Sequence, residues 1–264
     1  SYEGGADWAL CARESGAEPA ATYVLHRGRS RAQRQPVEPA FPPVLCPDDA
    51  SAQPTIAPIA DRSSGRRRAL AEWITDPDHP TTARVFANRV WQGLFGRGLV
   101  ETPNDFGATG IAPTHPELLD WLAASLVEGE WSVKELHRVI LGSAAYRASS
   151  AFSDPATLEI DPDNRLLWRG PLRRLDAESL HDALLAVSGE LNPERGGRGY
   201  FPVLGAEALA GMSRPGSGWG RSTLDERNRR ALYGYVKRGL LLPFLTVFDF
   251  VDSTNPQGSR ASMK

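Results

Sequence analysis

The hydrophobic positions change period near residue 63, and that change organises the chain. Before it, Thr22-Tyr-Val-Leu-His-Arg-Gly28 predicts one short strand that ends in a glycine turn. Seven prolines then follow between Pro36 and Pro58, and they exclude a regular helix. Residues 1–60 therefore read as an extended, proline-rich arm with a short strand, lying across the main body. From Ser63 apolar residues recur at helical spacing: Leu70, Trp73 and Ile74, then, after a stop at Asp76-Pro-Asp-His-Pro80, Phe86, Val90, Trp91, Leu94 and Phe95. The second of these helices begins at Thr81 or Thr82 and ends at Gly96 and Gly98.

Two capping boxes are predicted next, at Thr114-His-Pro-Glu117 and Ser132-Val-Lys-Glu135, where hydroxyl and carboxylate each satisfy a free backbone N–H. The stripes behind them are Leu118, Leu122 and Leu126, then Leu136, Val139, Ile140 and Ala144, with Gly129 between in a tight helical hairpin. A further helix starts at Asp176 and carries Leu180, Ala183, Leu184 and Val187 to a stop at Gly189. Asn192–Leu224 reads as a long irregular excursion, and Ala231–Arg238 and Leu245–Phe250 as short extended segments. The fold class is mainly α, an irregular helical domain over 61–264 with a proline-rich arm and minor β segments near both ends.

The composition is that of an ordinary globular chain, 41% hydrophobic and 23% charged in 264 residues. A formal net charge of -2 provides no field for nucleic acid or anionic lipid. Only Lys134, Lys237 and Lys264 among 30 basic residues are lysines, so the cations are overwhelmingly guanidinium groups suited to planar, forked hydrogen bonding. Cys11 and Cys46 are too few for a disulfide framework, and both pairing and separate burial stay open. Neither opens a Cys-x-x-Cys-His haem attachment, so this chain carries no haem site of its own. No apolar run has the length of a membrane span and no signal peptide is visible. The start at Ser1 and the abrupt stop at Lys264 read as a piece of something longer, truncated at its C-terminus.

Several stretches together carry a family signature. They are Arg68-Ala-Leu-Ala-Glu-Trp-Ile-Thr-Asp-Pro-Asp-His-Pro80, Ala83-Arg-Val-Phe-Ala-Asn-Arg-Val-Trp91 and Phe95-Gly-Arg-Gly-Leu-Val-Glu-Thr-Pro-Asn-Asp-Phe-Gly107. His115-Pro-Glu-Leu-Leu-Asp-Trp-Leu122, Trp131-Ser-Val-Lys-Glu-Leu-His137, Asp161-Pro-Asp-Asn-Arg-Leu-Leu-Trp168, Arg173-Arg-Leu-Asp-Ala-Glu178 and Arg229-Arg230 complete it. The set resembles the planctomycete cytochrome-associated C-terminal domain, domain of unknown function 1553, over most of 66–250. The arm around Tyr23–Gly28 and Val37–Leu45 looks like the segment that precedes that domain. The resemblance implies a place in a large exported protein, periplasmic or at the cell surface, behind cytochrome-c-like and sometimes carbohydrate-binding-like modules. Any haem would belong to an upstream portion, and the partners it implies are that cytochrome-like module, another protein or a polysaccharide. His181 departs from the resemblance, since the family more often has Arg there.

Candidate chemistry is sparse. Asp105, His115 and Glu117 are the residues closest to a carboxylate–imidazole acid–base set, although Glu117 already has a capping role. Arg84 and Asn88 share a helix face, and with Arg89 could grip a carboxylate, a sugar hydroxyl or a loop carbonyl; Asp105 is an internal partner at hand. Glu178-Ser-Leu-His181 has di-iron spacing, but no second copy exists, so no metal site is assigned. Arg66–Arg68 reads as a solvated cluster, and Arg165, Arg169, Arg173 and Arg174 around Trp168 as structural rather than nucleic-acid binding. Gly216-Ser-Gly-Trp-Gly220 lacks the flanks of a phosphate loop, and Asp161-Pro-Asp-Asn164 is explained as a turn. No nucleophile elbow or zinc helix occurs. The first reading is a non-catalytic interaction or scaffold module; the alternative is an extracellular enzyme or binding domain acting on carbohydrate.

Overall fold

The computed structural model describes residues 14, 16–205, 209, 218–237, 240, 242–248 and 250. It is mainly α, with minor β structure near the N-terminus. The chain forms two compact units, one from residues 1–90 and 115–139, the other from 91–114 and 140–264.

In the first unit the arm is a β-hairpin. Strand β1 (Thr22–Leu25) pairs antiparallel with β2 (Gln33–Val37), Thr22 opposite Val37 and Tyr23 opposite Pro36. The second strand is too polar to predict, and its proline is tolerated because the ribbon has only edges. Beyond it Phe41 stacks flat on Trp73 of helix α1 (Arg66–Ile74), with ring centroids 4.5 Å apart. Helix α1 begins at Gly65, whose φ of 83° and whose position, 2.0 Å from the Ala57 carbonyl oxygen for any added Cβ, exclude a side chain. Trp73 is half-buried, while Leu70 and Ile74 of the predicted stripe are exposed; the arm covers the tryptophan and not the whole stripe. The arginine cluster is distributed over three carboxylates: Arg66 to Glu38, Arg67 to Glu14 and Arg68 to Glu72.

Helix α2 (Thr82–Phe95) starts where the sequence places it. Its entry is held by His79, whose Nδ1 accepts the backbone N–H groups of Thr81 and Thr82 at 3.3 and 3.2 Å. The buried face is Ala83, Ala87, Asn88, Trp91 and Phe95, whereas Phe86 is 40% exposed. The expectation of Phe86 inside fails: the buried stripe runs through Ala83, Ala87, Asn88 and Trp91 instead. Helix α3 (Pro116–Glu128) buries Leu119, Leu122, Ala123 and Leu126. Its predicted capping box at Thr114 does not form, since His115 is the N-cap, without a side-chain bond to the helix's first turn, and the Thr114 hydroxyl turns to the Leu99 carbonyl. At α4 (Val133–Gly142) half the box survives: the Ser132 hydroxyl accepts the Glu135 N–H at 3.4 Å, but the Glu135 carboxylate pairs with Arg138. Leu136 and Ile140 are buried there, while Val139 and Ala144 are exposed.

In the second unit Trp91 and Phe95 stack one turn apart, and Tyr146 meets Phe95 edge-on. The end of α2 is capped by Arg173, whose Nη1 donates to the carbonyls of Gly93 and Leu94 at 2.9 and 2.6 Å. Short helix α5 (Pro155–Ile160) is capped by Asp154, and the turn after it by Asp161, which accepts the N–H groups of Arg165 and Leu166. Helix α6 (Ala177–Ser188) starts at the Asp176 cap and ends at Gly189 in the left-handed conformation, as its sequence predicts. Its predicted stripe is displaced, with Ala177 buried but Leu184 exposed and Val187 90% exposed. Among the described residues two more short helices have full bounds, α7 (Leu224–Arg227), with a complete Thr223/Glu226 capping box, and α8 (Pro243–Val247). Of the extended segments expected at Ala231–Arg238 and Leu245–Phe250, Ala231–Tyr233 is a 3-10 turn, Gly234 and Lys237 form isolated β-bridges, and 245–247 belongs to helix α8; Arg238 and Asp249 lie outside the described residues. Pro243 at the first helical position favours α8. Cys11, Gly216 and Ser217 lie outside the described residues. Among the described residues no helix is long and apolar enough to cross a membrane.

Candidate functional site

The residues singled out in the sequence fall in both units. Arg84 is in the first unit, where its Nε donates to Asp120 of α3 at 2.5 Å and its Nη1 to the Pro80 carbonyl at 2.6 Å. The carboxylate partner of Arg84 is thus Asp120, where the sequence offered Asp105, because α3 runs beside it in the same unit. Asn88 is fully buried and Arg89 is exposed. His115 is half-buried at the start of α3, with Glu117 exposed in its first turn.

Asp105 belongs to the second unit, in the loop after α2. One oxygen accepts the Gly107 N–H at 2.9 Å and the other the Thr109 hydroxyl at 2.6 Å. Those two bonds, the hydroxyl first, hold its carboxyl below the ordinary range. It is an anion that shapes a loop.

The second unit contains a cleft of about 630 Å³, within the size range of ligand sites. It lies between the first turns of α6 and the stretch from α7 to α8, with apolar walls from Leu232, Val236, Leu242, Phe244 and Leu245. At its polar side stands Asp182 of α6. Its Oδ1 accepts the Ala231 N–H at 2.6 Å, its Oδ2 the Arg230 Nε at 2.9 Å, and the His181 ring stands 3.4 Å away. Burial pushes this carboxyl up, but the Ala231 N–H, the Arg230 guanidinium and His181 outweigh it, so its pKa lies below the ordinary range. Tyr200, also lining the cleft, is shifted upward, by burial first and by the Asp182 charge second. The two shifts move in opposite directions, away from neutrality, and leave an ionised acid beside a protonated phenol.

Behind the cleft Arg229 is buried. Its guanidinium donates to the carbonyls of Arg198, Glu194 and Gly196 and lies 4.0 Å over the Tyr233 ring. This cage fixes the 194–198 loop, and bridges at Asn192–Arg229 and Tyr200–Gly234 continue the same lacing. His181 and Glu178 stand out in the sequence, whereas Asp182, Tyr200 and Arg227 do not. The usable signal was Arg229-Arg230, an adjacent pair whose side chains must diverge, one inward to carbonyls and one to a carboxylate. Among the described residues no group of three His, Cys, Asp or Glu side chains is placed to hold a metal ion.

Fold and cleft define a helical module in which buried and half-buried charges organise backbone. The profile of the PSD1 family, described as proteins of unknown function (DUF1553), matches residues 66–264, and the chain belongs to that family. No curated protein and no solved structure matches it. Every residue lining the cleft falls inside the matched span.

Proposed function

We propose that this chain is a non-catalytic interaction or scaffold module, and that the α6 cleft holds what enters it without transforming it. The observation that carries the reading is the state of Asp182. General acid–base work needs a group whose pKa lies near the working pH and whose lone pairs face the substrate. Asp182 is ionised, and both of its oxygens are engaged by protein donors. Asp105 is engaged in the same way in its loop. The wider setting, a large exported protein with a cytochrome-like portion upstream, rests on the motif resemblance.

Turnover tests the reading. The chain is incubated with soluble extracellular polysaccharides, aryl glycosides and aryl esters, beside Asp105→Asn and Asp182→Asn. No product is expected from any of the three proteins. Product formed by the unaltered chain and abolished by either substitution would overturn the proposal in favour of a hydrolase.

A further inference from the structure

Arg227 and Arg230 both line the cleft, and each is tethered through Nε alone: Arg227 to the Thr223 carbonyl at 3.2 Å, Arg230 to Asp182 at 2.9 Å. Among the described residues the Nη groups of these two arginines have no hydrogen-bond acceptor. A guanidinium pinned by Nε presents its two terminal donors in a fixed plane, the arrangement that matches a carboxylate. Tethering also removes much of the side-chain entropy that a free arginine loses on binding.

The cleft also has apolar lining, with Leu232, Val236, Phe244 and Leu245 on its walls. Three acids line it as well. Asp182 is offset by Arg230 and the Ala231 N–H, Asp176 accepts the Ser179 N–H as the cap of α6, and Glu178 stands on its first turn. We propose that the cleft binds a small organic carboxylate with an apolar body, its carboxylate on the Nη groups of Arg227 and Arg230. This inference rests on the reading of the cleft as a binding site and names its ligand class.

The experiment is calorimetric titration of the chain with 4-phenylbutyrate and with its uncharged amide, 4-phenylbutyramide. The acid is expected to bind roughly tenfold or more tightly than the amide, the scale of one charge-assisted hydrogen bond. Arg227→Gln should bring the acid down to the affinity of the amide with unchanged circular dichroism, and Phe244→Ala should weaken both ligands. Equal binding of acid and amide, an unaltered affinity in Arg227→Gln, or no saturable heat at millimolar acid would each overturn the inference. None of these results touches the non-catalytic reading. Conversion of the bound acid, seen by NMR of the recovered ligand, would end that reading while leaving carboxylate recognition intact.

Discussion

The rings of Phe41 and Trp73 lie parallel, 4.5 Å between centroids and 6° from coplanar. Thirty-two residues of chain separate them, so the stack joins the proline-rich arm to α1 by a long-range contact. The edge of His79 meets the same indole at 4.5 Å, so one tryptophan gathers the arm and the entry to α2.

Removing that stack should loosen the arm. Phe41→Ala is expected to cost about 2 kcal/mol, below the loss for a fully buried phenylalanine because Phe41 is only half-buried. Urea unfolding followed by tryptophan fluorescence measures it. Phe41→Tyr, which keeps the stacked ring, should remain close to the unaltered protein. Equal losses in both variants would show that the parallel rings are not what matters.

Arg229 makes a sharper demand. Arg229→Met keeps much of the side-chain volume but leaves the carbonyls of Glu194, Gly196 and Arg198 without their donor inside the unit. A loss of about 3 kcal/mol is expected. Hydrogen exchange should locate the damage at 194–200 and at the Tyr200–Gly234 bridge, with α3 unaffected. Arg229→Lys should recover little, since one ammonium cannot span three carbonyls in the plane of the guanidinium.

The pH dependence follows from Asp182. Its pKa is lower in the folded than in the unfolded chain, so the folded state binds fewer protons there and stability rises with pH across that interval. The contribution is fully present above the ordinary carboxylate pKa and is lost as pH falls from that value through the depressed one. Asp182→Asn should therefore be less stable at neutral pH and flatter on the acid limb, read as the unfolding midpoint in urea at a series of pH values. Parallel acid limbs for the two proteins would contradict the assigned bonds.

Much of the helical frame was written locally. The Asp176 cap and the Gly189 stop bound α6 because a carboxylate can accept a free N–H and a glycine can take positive φ wherever they occur. The same holds for the start of α2 after the Pro80 break, and the family signature was equally open to reading because it is made of contiguous words. Which face of each helix is covered was not legible. Phe86, Leu184 and Val187 lie on apolar stripes by period yet are exposed, and Asn88 is polar yet fully buried. Period says only that one side differs from the other, whereas partners come from distant parts of the chain. The second strand, with Pro36 and little apolar alternation, also escaped the pattern because pairing rather than propensity makes it a strand.

The sequence by itself determined a mainly helical chain of the DUF1553 family, the bounds of α6 and the start of α2, and a shortage of catalytic motifs. Only the tertiary structure decided that Asp182, Arg227, Arg230 and Tyr200 share one cleft, and that Asp105 closes a loop. The reason is physical. Caps and breaks act within four or five residues, and their causes sit in the sequence beside them. A cleft needs α6 to meet residues some fifty positions later, as Asp182 meets Arg230 and Ala231, and that meeting is fixed by packing of the whole unit.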